Sequence, residues 1–257
     1  MGIGFNPLRL LTGSATQVQL NSRQTIPFGN SINRDSFQNN SVEQLYDEKS
    51  IKTMISQNSD LKNILSKNKM PVKLNMDELF ELKRGHCRDS ADICGKIYKV
   101  LPSALKYHVN IKDLKDGAML HDFGKVLIPA EILNKHGKLT DEEFKIMHLH
   151  SELGYQLLKN SGLNDEVLSL IRNHHDNVNN KNFVPDVNLQ ILNIADKYSA
   201  LTEKRVYKNA LSPQQALTFI YGDVQKGNVH PLLYKALVEA VTKEQKAAAE
   251  NMNTSLA

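Results

Sequence analysis

An adjacent histidine and aspartate, His121 and Asp122, form the stretch of this chain whose residue types most clearly suggest chemistry. A neutral imidazole beside a carboxylate suits a borderline divalent cation, and the two carboxylate oxygens can bridge two ions. The dipeptide alone is weak evidence because it is common by chance. Five more candidate ligands lie between positions 86 and 196: His86, His150, His174, His175 and Asp196.

Each of these residues also has a simpler interpretation. His86 lies seven residues after Leu79 and seven before Ile93, so it faces the core, where a histidine is usually hydrogen-bonded rather than metal-bound. The pair at 174–175 ends a predicted helix, where cationic histidines are stabilised by the helix dipole. Asp196 is harder to explain, because it follows an apolar run in which an unpaired carboxylate would be costly to bury. A shared metal site accounts for all seven residues together.

Composition excludes several classes of protein. The chain has 257 residues and a net charge of +4, with basic and acidic residues interspersed, so duplex nucleic acid is not an expected partner. Because no apolar run has the length of a membrane span and the first residues lack the pattern of a signal peptide, we expect neither feature. Cys87 and Cys94 are seven residues apart in a helical pattern, too far for a disulfide. They are not placed as zinc ligands, and free thiols favour a cytoplasmic location.

The apolar periodicity predicts an all-α fold. We expect a disordered polar tail over residues 1–42, a helical N-terminal extension over 43–73, a compact domain over 74–243 and a C-terminal tail over 244–257. Within the domain, helices are predicted over residues 77–101, 111–121, 140–160, 165–175 and 189–201, with two more that begin at Ser212 and Pro231. The second of these helices is expected to break at Gly124, and Ser212 and Gln215 form a capping box at the start of the helix that follows. A Thr-Asp-Glu-Glu capping box opens the helix at Thr140, with Phe144, Met147, Gly154 and Leu157 expected to face inward.

Residues 75–221 resemble the HD superfamily of metal-dependent phosphohydrolases, and within it the HD-GYP branch. Its signature of HDIGK, IP, ILNKPGKLT, HPxxG, HH, VADxxDALT and RPYR elements is similar in type and order to segments of this chain. The similar segments are HDFGKV at 121–126, IP at 128–129, ILNK at 132–135, GKLT at 137–140, HSELG at 150–154, HH at 174–175, IAD at 194–196, ALT at 200–202 and RVYK at 205–208. The resemblance implies an HD-domain helical bundle.

The chain departs from the branch after the histidine pair, where the family reads HHExxDGxGYP. Here Asp176 and Pro185 remain, with Phe183 near the aromatic position, so the GYP loop is degenerate. In the family this loop helps to form the substrate pocket and contacts partner domains, so the departure bears on substrate identity more than on metal binding. Leu82 stands where some members carry a glutamate linked to a third metal, which favours a two-metal site.

The resemblance also implies roles for individual residues. His86, His121, Asp122 and Asp196 would hold one ion, and Asp122 would bridge to a second ion held by His150, His174 and His175. Iron, manganese or another transition metal would suit this set.

Lys125 would neutralise phosphate charge or protonate the leaving group, although the simpler interpretation is that it is a surface lysine. Arg205 is a second phosphate-binding candidate, and Asp176 would orient a histidine ligand.

The function that the resemblance implies is hydrolysis of a cyclic dinucleotide, with cyclic di-GMP as the first candidate, by a metal-activated hydroxide. One alternative is an HD-type phosphohydrolase that acts on another nucleotide or phosphate ester. Another is a catalytically inactive module that senses a ligand or a protein, although an inactive site has no physical reason to keep seven costly groups together. The expected partner is a small nucleotide substrate, and a homodimer or a signalling-protein partner stays open.

Overall fold

The computed structural model describes residues 45–176, 186–203 and 210–255, and all regular structure in these ranges is helical, which confirms the all-α prediction. The α-helices are α1 Glu48–Gln57, α2 Ser59–Lys67, α3 Met76–Leu82, α4 Arg88–Val100, α5 Ser103–Lys106, α6 Ile111–Leu120, α7 Ala130–Leu133, α8 Asp141–Leu158, α9 Asp165–Asn173, α10 Val187–Thr202, α11 Pro213–Gln225 and α12 Pro231–Ser255. A π-helical segment, Lys83–Cys87, joins α3 to α4, and a 3₁₀ segment, Phe123–Leu127, follows α6. None of the helices in these three ranges combines the length and the apolar character that a membrane span requires.

Side-chain caps fix where several helices begin. Thr140 accepts a hydrogen bond from the Glu143 N–H at 3.2 Å, and Glu143 accepts one in return from the Thr140 N–H at 2.7 Å. The same reciprocal pair forms between Ser212 and Gln215 at the start of α11. Both capping boxes were predicted, and each capping side chain stabilises its helix by about 1 kcal/mol. Because α8 carries His150, its cap contributes to holding that residue in place.

Two apolar clusters form the core, and helices α6 and α9 contribute to both. The first cluster gathers side chains from α4, α6, α9, α10, α11 and α12. The second gathers them from α1, α2, α3, α6, the 3₁₀ segment, α7, α8 and α9. Leu114 of α6 belongs to the first cluster and Leu120 to the second, and Leu170 and Ile171 of α9 divide in the same way. These two helices therefore lie where the clusters meet.

The N-terminal helices α1 and α2 pack against α8. Ile51 and Leu61 are fully buried in the second cluster, and the Asn58 amide donates to the Gln156 carbonyl at 2.6 Å. At the other end, α12 continues to Ser255, so the predicted C-terminal tail is largely helical. The predicted polar tail and the loop at 177–185 lie outside the described residues.

One prediction about the core is wrong. Phe144 was expected to face inward, but its side chain is 55% exposed, and its ring contacts that of His148 with centroids 4.5 Å apart. It lies in the first turn of α8, beyond the part of the helix that the core covers. Gly154 and Leu157, from the same predicted stripe, are buried, and Met147 is partly buried.

Candidate metal centre

The structure brings all seven candidate ligands into one cluster from separate elements. They are His86 in the π segment, His121 at the end of α6, Asp122 before the 3₁₀ segment, His150 in α8, His174 and His175 at the end of α9, and Asp196 in α10. Contacts of 4 Å or less between ligating atoms connect the whole set. The predicted convergence of these side chains is therefore present in the fold.

The first group of ligands consists of His86, His121, Asp122 and Asp196. One ligating atom from each of the first three lies within 4.8 Å of the others, and all three residues are buried. Asp196 joins them because its Oδ1 lies 2.9 Å from His86 Nε2 and 3.7 Å from His121 Nε2. Two carboxylates and two imidazoles thus surround one position.

The second group consists of His150, His174 and His175. His150 Nε2 lies 3.0 Å from the Nε2 atom of each of the other two. His150 and His174 are buried, whereas His175 is exposed, so the cluster opens towards solvent on this side. This group offers only imidazole nitrogens of its own.

Asp122 faces both groups. Its Oδ2 lies 3.6 Å from His86 Nε2 and 3.5 Å from His121 Nε2, whereas its Oδ1 lies 3.4 Å from His150 Nε2. The two oxygens of one carboxylate therefore point to different groups. This is the arrangement that a bridge between two cations requires.

Three of the histidines have their tautomer fixed by their own helix. His121, His150 and His174 each place Nδ1 2.6–2.9 Å from a carbonyl oxygen three residues earlier. Because a carbonyl oxygen only accepts, each Nδ1 donates its proton, and in the neutral ring Nε2 then presents a lone pair to the cluster. Such orientation of Nε2 is typical of metal-binding histidines.

The electrostatics of the second group favour neutral rings. Burial lowers the pKa of His150 to about 3. Burial is also the main reason that the pKa of His174 lies well below its ordinary value, and the neighbouring imidazoles lower it further. His175 is more exposed than these two residues, but partial desolvation of its ring still lowers its pKa. With Nδ1 protonated, the Nε2 atoms of His150 and His174 meet as two acceptors that cannot bond to each other. A cation between them would satisfy both, so the donor set fits a metal ion.

The acids of the first group are held as carboxylates. Burial opposes ionisation of Asp122, but Lys125 and the surrounding imidazoles outweigh it and keep its pKa well below the usual range. Burial likewise opposes ionisation of Asp196, and the adjacent His121 and His86 side chains overcome it and hold its pKa well below the usual range. His121 Nε2 is buried without a hydrogen-bond partner among the described residues. The group thus pairs charged oxygen donors with an unsatisfied nitrogen, which also suits a divalent cation.

Two glycines let the Asp122 segment approach α8. A Cβ atom on Gly124 would lie 2.0 Å from the His150 carbonyl oxygen and 2.4 Å from the Gly154 nitrogen. Gly154 in turn has the Gly124 nitrogen 3.2 Å from the position that a Cβ would take. The two backbones therefore touch, and this contact brings Asp122 next to His150. The sequence suggested that Gly124 ends a helix, whereas its role in the structure is this close approach.

The π-helical segment that carries His86 was not predicted. The seven-residue spacing correctly places Leu79, His86 and Ile93 in the core, where each is at most 6% exposed. However, the predicted single helix is interrupted at Lys83–Cys87. Such π segments often occur at functional sites, because they turn one side chain out of the regular helical series. Gly85 lies within this segment and is the residue there with the lowest helix propensity.

Three predicted site residues remain, and they are Lys125, Asp176 and Arg205. Lys125 is mostly buried, and its Nζ donates a hydrogen bond to Asp122 Oδ2 at 2.6 Å. The alternative interpretation of Lys125 as a solvated surface lysine is therefore wrong. The Asp176 carbonyl accepts a hydrogen bond from the Asn193 amide, while its orienting role towards a histidine stays a prediction. Arg205 lies outside the described residues.

A cavity of about 350 Å³ adjoins the cluster. His174, His175 and Asp196 form part of its wall, and further residues come from α10 and from the region around the start of α12. Lys197, which pairs with Asp223 at 2.6 Å, and His230 are polar lining residues that were not predicted. Their sequence spacing carries no signal, because the wall forms only when α10 and α12 pack together. The volume is within the range of small-molecule sites.

A family model described as the HD domain matches residues 76–226. The chain therefore belongs to the HD-domain family, which confirms the resemblance seen in its motifs.

Three relatives have a sequence identity of about one third with this chain over the matched residues. It is 32% identical over 130 residues to the cyclic di-GMP phosphodiesterase response regulator RpfG of Xanthomonas campestris pv. campestris, covering 46% of this chain and 33% of that protein. It is 33% identical over 120 residues to a cyclic di-GMP phosphodiesterase of Thermotoga maritima, covering 42% and 32%. It is 33% identical over 137 residues to the 3'3'-cGAMP-specific phosphodiesterase 2 of Vibrio cholerae, covering 49% and 26%. The matches span a third or less of these relatives.

Proposed function

We propose that this chain is a metal-dependent phosphodiesterase that hydrolyses a cyclic dinucleotide, with cyclic di-GMP as the first candidate. The observation that carries the proposal is Asp122, whose two oxygens face two separate groups of ligands. The relatives named as cyclic di-GMP phosphodiesterases support the substrate class. A cytoplasmic location and a homodimeric or signalling-protein partner remain predictions.

The two groups would hold one divalent ion each. His86, His121 and Asp196 would complete the first site around Asp122 Oδ2, and the three imidazoles of the second group would complete the other around Asp122 Oδ1. When bound, two such ions lower the pKa of a water molecule and neutralise charge on phosphoryl oxygens. The mixture of nitrogen and carboxylate donors suits iron or manganese.

The protein's own residues would position the nucleotide. The Lys125 ammonium group already lies beside Asp122, so it can exchange this partner for a phosphate oxygen or donate a proton to the leaving oxygen. The adjoining cavity offers room for a nucleoside, with Lys197 as a cationic group on its wall. Asp176 and Arg205 would serve as an orienting acid and a second phosphate ligand.

A second candidate substrate is 3'3'-cGAMP. A relative specific for this dinucleotide is as similar to the chain as those that act on cyclic di-GMP. The sequence departs from the GYP pattern after His175, at the loop that bears on substrate choice. Both candidates share the phosphodiester chemistry and differ only in one base.

The proposal is tested on protein purified without oxygen and loaded with manganese or ferrous iron. Elemental analysis gives the metal content, and chromatography identifies products from cyclic di-GMP and 3'3'-cGAMP. Lys125→Gln is compared with Lys112→Gln, since Lys112 forms an exposed ion pair with Asp116 away from the cluster. We expect two ions per chain, cleavage of at least one dinucleotide, and a loss of turnover in the first variant alone. Metal-loaded protein that cleaves neither dinucleotide would refute the proposal.

A further inference from the structure

His86 differs from the other buried histidines of the cluster in how its second nitrogen is placed. His121, His150 and His174 direct Nδ1 to a carbonyl of their own helix. His86 is 1% exposed, and its Nδ1 has no hydrogen-bond partner among the described residues. The π segment therefore buries a ring nitrogen without the local acceptor that the other three possess.

The side chain that faces this nitrogen is Glu203. Its Oε2 lies 3.8 Å from His86 Nδ1, and its Oε1 lies 3.6 Å from the position of a Cβ on Gly85. The carboxylate thus lies against the π segment. A separation of 3.8 Å is too long for a hydrogen bond and too short for a water molecule between the atoms. A shift of roughly 1 Å in a flexible side chain would close it to hydrogen-bond length.

Helix α10 places carboxylates on both sides of the His86 ring. Asp196 Oδ1 lies 2.9 Å from Nε2, and Glu203 caps the same helix seven residues later, on the Nδ1 side. Residues seven apart lie on nearly the same face of a helix, two turns from each other. Carboxylates of one helix therefore face both ring nitrogens of His86.

We propose that Glu203 is the positioning residue for His86 in the metal-loaded protein. This inference rests on the proposed metal centre. A cation on Nε2 requires the neutral ring to carry its proton on Nδ1, and Glu203 is the acceptor placed to receive it. A carboxylate in this position fixes the ring orientation and increases the basicity of the ligating nitrogen. Glu203 would thus do for His86 what backbone carbonyls do for the other three histidines.

The inference is tested by zinc binding, independently of any turnover. Zinc is diamagnetic, so calorimetric titration of the metal-free protein can be combined with NMR of imidazole N–H protons. The variants are Glu203→Ala, Glu203→Gln and Glu203→Asp, with His86→Ala as the reference for loss of the ligand. The control is Glu81→Ala, because Glu81 is exposed and pairs with Arg84 near the start of the same π segment.

Glu203→Ala should weaken one of two zinc ions by about 10–100-fold and leave the other unchanged. The slowly exchanging His86 Nδ1 proton should disappear in this variant. Glu203→Gln should weaken zinc binding less than Glu203→Ala does, because its amide oxygen still accepts a hydrogen bond. Glu203→Asp should likewise bind zinc more tightly than Glu203→Ala. Thermal unfolding of the metal-free protein should change little, and Glu81→Ala should bind as the wild type.

Wild-type affinity for both ions in Glu203→Ala, with the His86 proton still protected, would overturn the inference. A wild-type protein that binds no zinc would overturn it as well. If Glu203→Ala unfolds, the isosteric Glu203→Gln decides, since an unchanged Nδ1 proton shift would exclude a carboxylate partner. A protein whose zinc binding depends on Glu203 but which cleaves no cyclic dinucleotide would contradict the proposed function alone.

Discussion

The two ligand groups on either side of Asp122 are built in different ways. The second group takes three imidazoles from α8 and the end of α9, and two of these have their tautomer set by a carbonyl of the same helix. The first group draws on the π segment, the end of α6 and α10, and it contains two carboxylates. Local helix geometry therefore defines most of the second group, whereas tertiary packing defines the first. An ion in the first group gains charge neutralisation that neutral imidazoles do not provide.

Removing Asp122 should have the largest effect, because both groups share it. We expect Asp122→Ala to lose both ions and to reduce turnover by a factor of roughly a thousand or more, as loss of several kcal/mol of metal-ion catalysis implies. Elemental analysis and product chromatography measure the two effects. Asp116→Ala, which removes a partly exposed carboxylate of α6 that pairs with Lys112 away from the cluster, is the matched control. Retention of two ions per chain in Asp122→Ala would show that the bridge is wrongly assigned.

Gly124→Ala should separate the two groups without removing any ligand. Its Cβ would overlap the backbone of α8 at the His150 carbonyl, so Asp122 and His150 must move apart. We expect a loss of about 3 kcal/mol in the free energy of unfolding and weaker binding of the second ion. The control is Gly222→Ala, where nothing lies within 4 Å of the new Cβ and where alanine should stabilise α11. Equal unfolding midpoints for the two variants would contradict the close contact.

His174→Ala should affect one group only. It removes a buried nitrogen from the second group and leaves all four ligands of the first group in place. We expect one ion per chain instead of two, with the remaining ion bound about as tightly as before. Isothermal titration with manganese counts the sites. Loss of both ions, or of neither, would mean that the two groups do not act as separate sites.

Acidification should destabilise the metal-free protein through the second group. Burial lowers the pKa of His150 to about 3, from an unfolded value of 6.5, so at intermediate pH only the unfolded chain binds this proton. The stability that the neutral ring contributes is therefore lost as pH falls below 6.5. Between pH 7.5 and 5 we expect the wild type to lose about 2 kcal/mol more than His150→Gln, since each pH unit is worth about 1.4 kcal/mol. Denaturant unfolding in the presence of a chelator measures this, and parallel pH profiles would argue against a buried neutral ring.

Histidines outside the two groups should leave the metal content unchanged. His108 and His136 are exposed, His148 contacts the ring of His175, and His230 lines the adjoining cavity. Replacement of each by Gln should preserve two ions per chain, which elemental analysis checks. His148 and His230 are the demanding cases because they lie near the cluster. A lost ion in His148→Gln would extend the second group by one residue.

The sequence was sufficient to predict the helical fold and the seven candidate ligands, because apolar periodicity and motif spacing are local properties. His86 and Ile93 are buried as predicted, and both capping boxes are present. Features that depend on packing between distant elements were not predictable. The π segment, the contact of Gly124 with α8 and the position of Glu203 are of this kind. Phe144 was misplaced because a helical stripe does not show how far along the helix the core extends.

The most direct test of a paired metal centre is a crystal structure of manganese-loaded protein with anomalous diffraction data. We predict two anomalous peaks, one on each side of Asp122, the first among His86, His121 and Asp196 and the second among His150, His174 and His175. A single peak, or two peaks that do not share Asp122, would contradict the account.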